Sequence, residues 1–517
     1  MHATTPTAMG MVSGDHKALA HKSIVAFLWG AGGSIARIFL QLGAQVALAR
    51  ILGPEVYGLF ALGVLIVGVS TYFADFGLAY GLIQKQDMSD ADVGFVWTWQ
   101  CILGCLVALC VWAGAGQLAA AFGKPEVEPV FTWLSLACLI NALSAASTNL
   151  LKKALDYKTL QLAQLASYVF GYIAIGIPLA MAGAGVFALV VAMLAQSALS
   201  LAMLYFRVRH PLALRFRTPG GRAMLAYGGT VLATNLINWV FTSADKILVG
   251  RMFPAHVVGL YNNAFNLVNS PAAAAYGTLQ SVVFSACARL QNDPAALRGV
   301  FLRLVAAVTL AAFPLFAVLG VGADIAMAAI YGPAWVEATP YLRIFAFVMP
   351  CLLVWGISTP ILWNSGRTTL EFQLQVPMAI VWCAVLWAVA RQPGTTVALA
   401  AAGLLAARAF GMAMVAARIL KLPAREVLCA MGGGAALTLL MAVTSLYALA
   451  PMARMPGNSQ VQLLLLVVSS GLLFVAAMVI LGPWLIDRPL ALSLQAGAAR
   501  LPRMLAPILR TAARTRT

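Results

Sequence analysis

Ser34, Arg37, Gln41 and Gln45 recur at three- and four-residue spacing inside an apolar stretch. On a helix turning about 100° per residue they share one face. The same pattern returns as Asn235, Asn238, Thr242 and Asp245, and an offset of 201 carries the first set onto Asn235, Asn238, Thr242 and Lys246. Asn262, Asn266 and Asn269 make a third one-sided row. A guanidinium pairs with phosphate oxygens in a fixed fork, and amides and hydroxyls pair with sugar hydroxyls. Such faces therefore suit an anionic headgroup that carries hydroxyls. The plainer alternative is hydrogen bonding between helices, worth about 0.6 kcal/mol per contact. Recurrence of the polar face at the start of both halves of the chain favours a water-filled cavity instead.

The carboxylates are fewer. Asp245 and Lys246 can form a local ion pair, a cation-coupling site or a gate, with structural pairing ranked first. Asp75-Phe76-Gly77 matches the tripeptide that holds magnesium in protein kinases, but the nucleotide loop, catalytic loop and soluble lobes of a kinase are missing. Asp75 is expected to end a helix, with Gly77 letting the backbone turn, and to face an inner mouth or pair with a basic residue there. Eight cysteines fall within or beside apolar runs; Cys101 and Cys105 lie one turn apart, but no His or carboxylate completes a metal set. Buried free thiols are expected, and no metal.

These groups must be carried by membrane helices. Of 517 residues 62% are hydrophobic and 9% charged, and soluble chains carry about 25% charged residues. Apolar runs of about 20 residues span a hydrocarbon core. Fourteen spans are expected, near 23–50, 56–83, 93–118, 130–150, 159–182, 184–206, 223–249, 256–284, 300–323, 338–363, 370–390, 395–418, 426–450 and 460–484. The fold class is all-α and polytopic. The first span is too long and too polar for a signal peptide.

With both termini on one side, that side carries 24 of the 33 Lys and Arg, the other five, and four lie inside spans. The excess puts both termini in the cytoplasm. The net charge of +17 is then mostly topology rather than a nucleic-acid footprint.

The chain also repeats itself. "ARILGPEVYGLF" (49–60) aligns without gaps on "GRMFPAHVVGLY" (250–261), and "FGKPEVE" (122–128) on "YGPAWVE" (331–337) at an offset of 209. The expected organisation is a disordered cytoplasmic lead (1–21), a first lobe of six spans (22–206), a second of six (222–420), two added spans (426–484) and a basic cytoplasmic tail (485–517). The parallel repeat is a plan of secondary transporters, with the site in the cleft between lobes. The tail, with six Arg among Leu and Met, can lie on an anionic leaflet or be disordered.

Over residues 22–420 the chain resembles the Wzx-type lipopolysaccharide and exopolysaccharide flippases of the multidrug/oligosaccharidyl-lipid/polysaccharide exporter superfamily. The likeness rests on "ARILGPEVYGLFALG", "FADFGL", "ADKILVGRMFPAHVVGLYNNAFNLV", "YGPAWVEATPYLRIFA" and "WNSGRTT", in that order. It implies a V-shaped two-lobe carrier that flips undecaprenyl-pyrophosphate-linked oligosaccharide across the bacterial inner membrane by alternating access. It also implies a basic cavity residue for the pyrophosphate, a part open to Arg37, with Arg343 or Arg408 as companions. No cofactor is expected. The driving force stays open between protons, sodium ions and the membrane potential, with Asp75 and Asp245 as candidate carboxylates. Expected partners are the lipid-linked oligosaccharide, membrane lipids and the polymerase and chain-length machinery; the chain is expected to be monomeric and to bind no nucleic acid. A lipid II flippase would show more basic residues in the first lobe, and a drug or cation antiporter would prefer acidic and aromatic groups. A ligase or polymerase needs a larger outer domain than the short outer connections here provide, so no enzyme is expected.

Overall fold

In a computed structural model the described residues are 9–78, 89–290, 293–364, 368–452 and 458–485, and no strand occurs among them. The basic tail and Arg367 of the "WNSGRTT" stretch lie outside them. The chain divides into two compact units, one of residues 1–52 and 59–239, the other of residues 53–58 and 240–517.

The first unit holds α1 (Met9–Asp75) apart from its residues 53–58, then α2 (Asp90–Ala113), α3 (Ala115–Phe122), α4 (Glu128–Lys153), α5 (Tyr157–Tyr168), α6 (Ile177–Met181) and α7 (Val186–Val208). A π-helix, Val169–Gly176, joins α5 to α6. The backbone is helical from Met9, inside the stretch read as a disordered lead: "KALAHKSIVAFLWGA" contains no proline to stop a helix running back from the first span. The two spans expected at 23–50 and 56–83 form one helix broken at Gly53, whose φ of 75° is open to glycine, and Pro54 follows it. The helix ends at Asp75, as expected. Phe76 (φ 48°) and Gly77 (φ 66°) then turn left-handed, and a side chain on Gly77 would lie 2.8 Å from Val231 Cβ and 2.9 Å from the Gly228 carbonyl.

The second unit takes α8 (Gly221–Met252) from Val240 onward, then α9 (Ala255–Arg289), α10 (Pro294–Val321), α11 (Ala323–Ile330), α12 (Thr339–Val348), α13 (Cys351–Asn364), α14 (Thr368–Ala388), α15 (Gly394–Ile419), α16 (Ala424–Met452) and α17 (Ser459–Leu485). Its core packs Val283, Phe301, Val305, Val354, Ile357, Met412 and Ala416. The last two helices belong to the same unit, with Leu437, Met441 and Leu466 packed on Ala306, Leu310 and Val318 of α10.

Ten described helices are long and apolar enough to cross a membrane. Against the fourteen expected spans, the first two merge into one, and 223–249, 256–284 and 370–390 do not qualify. α8 and α9 are nevertheless 32 and 35 residues long, about 48 and 52 Å at 1.5 Å per residue. Length suffices for both; their polar rows lower the hydropathy.

The repeat is visible in each unit. Phe122 ends α3, Gly123 turns left-handed (φ 66°) and Pro125–Val127 forms a 3₁₀ turn. Gly332 (φ 96°) and the 3₁₀ turn Pro333–Ala338 follow α11 in the same order. Both turns bury an apolar anchor completely, Val127 and Trp335. The offset of 201 also has a physical counterpart inside the second unit. A side chain on Gly58 would collide with the Ala255 carbonyl, and one on Gly259 with the Pro54 carbonyl. Gly58 matches Gly259 and Pro54 matches Ala255, so the two contacts are each other's repeat.

Candidate functional site

The polar face of α1 meets α5. Arg37 donates through Nη1 to Gln164 Oε1, Gln161 Nε2 donates to Ser34 Oγ at 3.5 Å, and Tyr168 Oη donates to the Gln41 carbonyl at 3.4 Å. Ser34, Arg37, Gln41 and Gln45 are all half-buried. Gln161, Gln164 and Tyr168 escaped the sequence reading, although their i, i+3, i+7 spacing is the same signal that found the face on α1. Tyr168 continues into the π-helix, which brings Tyr172 onto it as a stacked pair with ring centroids 4.6 Å apart. A π-helix of this kind often marks a functional position. Together α1, α5 and the π-helix that follows carry the Arg37 cation, the bonded amides of Gln161 and Gln164, the Ser34 hydroxyl and two tyrosines along one seam.

Asp75 accepts from Gln100 Nε2 at 2.8 Å and lies close enough to Lys152 to feel its charge. Gln100 is fully buried, and among the described residues its own Oε1 has no hydrogen-bond donor. This places the carboxylate at a helix end among polar groups of α2 and α4, where the sequence suggested an inner mouth or a basic partner.

On α8, Asn235 and Asn238 are half-buried in the first unit, whereas Thr242 is exposed in the second. Asp245 is buried and accepts from Tyr261 Oη at 2.6 Å. Lys246 stands 4.1 Å over the Phe265 ring. Tyr261 packs edge-on to Tyr341 and Phe345, and Phe345 to Phe265. Consecutive residues on a helix point about 100° apart, so Asp245 and Lys246 each reach a different part of α9. Asn262 and Asn269 are half-buried and Asn266 is exposed; Asn262 Nδ2 donates to the Val258 carbonyl at 3.0 Å.

The two companion arginines are otherwise engaged. Arg343 pairs with Asp324 at 2.6 Å on an exposed surface. Arg408 is 2% exposed and lies between Phe241 and Trp355, 3.9 and 4.0 Å from their ring centroids, with Nη2 donating to Gln375 at 3.3 Å. Rings on both faces leave its guanidinium enclosed.

No disulfide forms among the eight cysteines. Cys138, Cys287 and Cys351 are buried, but Cys105, Cys110, Cys383 and Cys429 are exposed on the outer faces of their helices, where burial was expected. Lipid satisfies a thiol there as well as a protein core does, so hydropathy alone does not separate the two. Among the described residues no group of three His, Cys, Asp or Glu could hold a metal ion.

The family described as "Polysaccharide biosynthesis protein" matches residues 47–340. The chain is 25% identical over 369 residues to the lipopolysaccharide biosynthesis protein WzxC of Escherichia coli, covering 69% of this chain and 73% of that one. It is 22% identical over 353 residues to ExoT of Rhizobium meliloti, a succinoglycan biosynthesis transport protein, covering 68% and 69%. In fold it matches the lipid II flippase MurJ with a TM-score of 0.64 at 13% identity, over 86% of this chain and 97% of that chain. The resemblance read from the motifs is borne out.

Proposed function

Since the chain belongs to the polysaccharide biosynthesis protein family, we propose that it flips undecaprenyl-pyrophosphate-linked oligosaccharide repeat units from the inner to the outer leaflet of the inner membrane, feeding O-antigen or exopolysaccharide synthesis. The observation that carries this reading is the likeness over more than two thirds of the chain to ExoT, whose name states both transport and a polysaccharide. It is a carrier that works by alternating access, not an enzyme, and both termini face the cytoplasm, on the side that holds 24 of the 33 basic residues.

In this mechanism the seam of α1 and α5 receives the headgroup. Gln164 holds one edge of the Arg37 guanidinium, and the remaining donors of its fork pair with pyrophosphate oxygens. Gln161, Ser34 and the tyrosines then offer amide, hydroxyl and ring faces to the sugars. The amides of Asn235 and Asn238 on α8, in the same unit, take further sugar hydroxyls. Arg343 and Arg408 are assigned no ligand contact, because a carboxylate holds one and two rings enclose the other. Asp75 and Asp245 are the carboxylates available for a coupling cation.

The test is a gene deletion with analysis of the inner membrane lipids. Loss of polymer with complete repeat units stranded on the cytoplasmic leaflet is the expected result. Repeat units that reach the outer leaflet and stay unpolymerised would point to an enzyme, and normal polymer with normal lipid intermediates to a different substrate.

A further inference from the structure

The segment joining α7 to α8 is clamped to the start of α2 by polar groups. Asp92 is fully buried; its Oδ2 accepts from the Ser89 amide at 3.0 Å and the Ser89 hydroxyl at 2.9 Å, and its Oδ1 accepts from Thr218 Oγ1 at 2.7 Å. The buried hydroxyl of Thr98 accepts from the Arg215 amide at 2.8 Å. Gly94 leaves room for the Ala213 carbonyl and for the stem of Arg215, which would sit 3.1 and 3.5 Å from a side chain there. Gly221 packs on the Phe95 ring. One of the three bonds to the Asp92 carboxylate, from the Thr218 hydroxyl, comes from the segment, and with the Arg215–Thr98 bond it holds the segment on α2 although residues 209–215 form no helix or turn.

What this clamp presents outward is unusual. Leu212, Leu214 and Phe216 are 47, 66 and 58% exposed, and they alternate with Ala213, Arg215 and Arg217. The segment meets α2 through the Ala213 carbonyl and the Arg215 amide and stem, and the three large apolar side chains are left largely exposed. The stretch "RVRHPLALRFRTPGGR" (207–222) carries five arginines and no acid. Arg207 reaches Asp156 at 3.7 Å, whereas the heads of Arg209, Arg215, Arg217 and Arg222 are exposed. A contiguous outward apolar face on a fixed backbone marks an interaction surface. Its place settles which one: α7 is apolar enough to cross the membrane, so the residues that follow Val208 emerge at the boundary between lipid and water.

We propose that this segment is a binding site for anionic phospholipids of the adjacent leaflet. Leu212, Leu214 and Phe216 dip into the headgroup and acyl boundary, and Arg215 and Arg217 pair with lipid phosphates, as Arg and apolar side chains do in interfacial anchors. The clamp on α2 thereby seats one end of the first unit on the membrane surface. The assignment does not depend on the transported substrate.

Native mass spectrometry of the full-length protein, released from membranes of phosphatidylcholine and phosphatidylglycerol, tests it. The wild type should retain phosphatidylglycerol in preference to phosphatidylcholine. Arg215→Gln with Arg217→Gln should lower that preference about tenfold or more, since each basic residue at the surface contributes about a factor of five. Arg215→Lys with Arg217→Lys should keep most of it, and Leu214→Ser with Phe216→Ser should weaken retention of both lipids. These substitutions leave Asp92, Thr98 and Thr218 intact, and an unchanged melting temperature confirms the fold. Equal retention of the two lipids by the wild type, or a preference untouched by the Gln pair, overturns the proposal. So does displacement of phosphatidylglycerol by inorganic phosphate at modest concentration, which would mark a plain anion site. A dimer that disappears in the Leu214→Ser, Phe216→Ser variant would assign the apolar face to a second copy instead.

Discussion

Arg37 brings a permanent charge into an apolar helix, and one glutamine satisfies a single edge of it. A hydrogen bond to a charged group contributes about 1.5–3 kcal/mol, so losing the pyrophosphate contact should slow transport by about tenfold to a hundredfold. Arg37→Ala and Arg37→Glu should lose export while the protein accumulates normally, and Arg37→Lys should retain part of it. Full export in Arg37→Glu, measured as surface polysaccharide at matched protein level, would remove Arg37 from the site. The period of α1 made Ser34, Arg37 and Gln41 legible in the sequence. Their partners on α5 obey the same period, but periodicity says which residues share a face and not which helix that face meets. The enclosure of Arg408 was hidden for the same reason: Phe241 and Trp355 come from distant helices, and no spacing links them to it. The end of α1 at Asp75 could be read, because Gly77 is a local signal; Gln100 as its partner could not.

Elements carry two further expectations. At the crossing of residues 54–58 with α9, a methyl group on Gly58 or Gly259 has no room, because each faces the other helix's carbonyl. Gly58→Ala and Gly259→Ala should each cost about 1–3 kcal/mol and lower the melting temperature in detergent by similar amounts. Since both open the same contact, the double variant should lose clearly less than the sum; strict additivity would mean that the two positions do not share one crossing. This contact turns a weak repeat of twelve residues into a geometric one. The second expectation concerns His210, buried edge-on to Tyr205 beside the clamped segment. Burial holds its pKa below the usual 6.5, partly offset by the Pro211 carbonyl. The undocked imidazole then binds a proton at a higher pH than the docked one. Docking is unaffected above about pH 6.5 and weakens as the pH falls through and below that value. Amide hydrogen exchange over 209–217 should therefore rise on acidification in the wild type and stay flatter in His210→Gln. Equal pH profiles would show that His210 does not report on the clamp.

At the scale of the whole chain, hydropathy and charge gave a polytopic all-α membrane protein, and the match to the MurJ fold agrees with it. They did not separate helices that line a polar seam from helices that do not cross, because both lower the mean hydropathy. α8 and α9 fall outside the ten qualifying spans on that account while being long enough to cross. Hydropathy also made the region after residue 426 look like an appendage, since nothing in it carries chemistry. Packing assigns it another part. Gly434 of α16 lies directly against the Thr309 backbone of α10, and Gly322 leaves space that Leu466 fills. Leu437, Met441 and Leu466 are 0, 2 and 2% exposed in a shared core with α10. Lipid offers no hydrophobic drive between helices, so such close, small-residue packing is what holds them together. Removing α16 and α17 would strip one whole side of α10 at once. A chain ending after Leu420 should fail to accumulate in the membrane rather than accumulate and transport poorly. Gly434→Leu, which forces the two helices apart within an otherwise intact chain, should lower the melting temperature in the same direction. A truncated protein present at wild-type level with an unchanged melting transition would return the last two helices to the status of an addition, and the second unit would then be complete with α15.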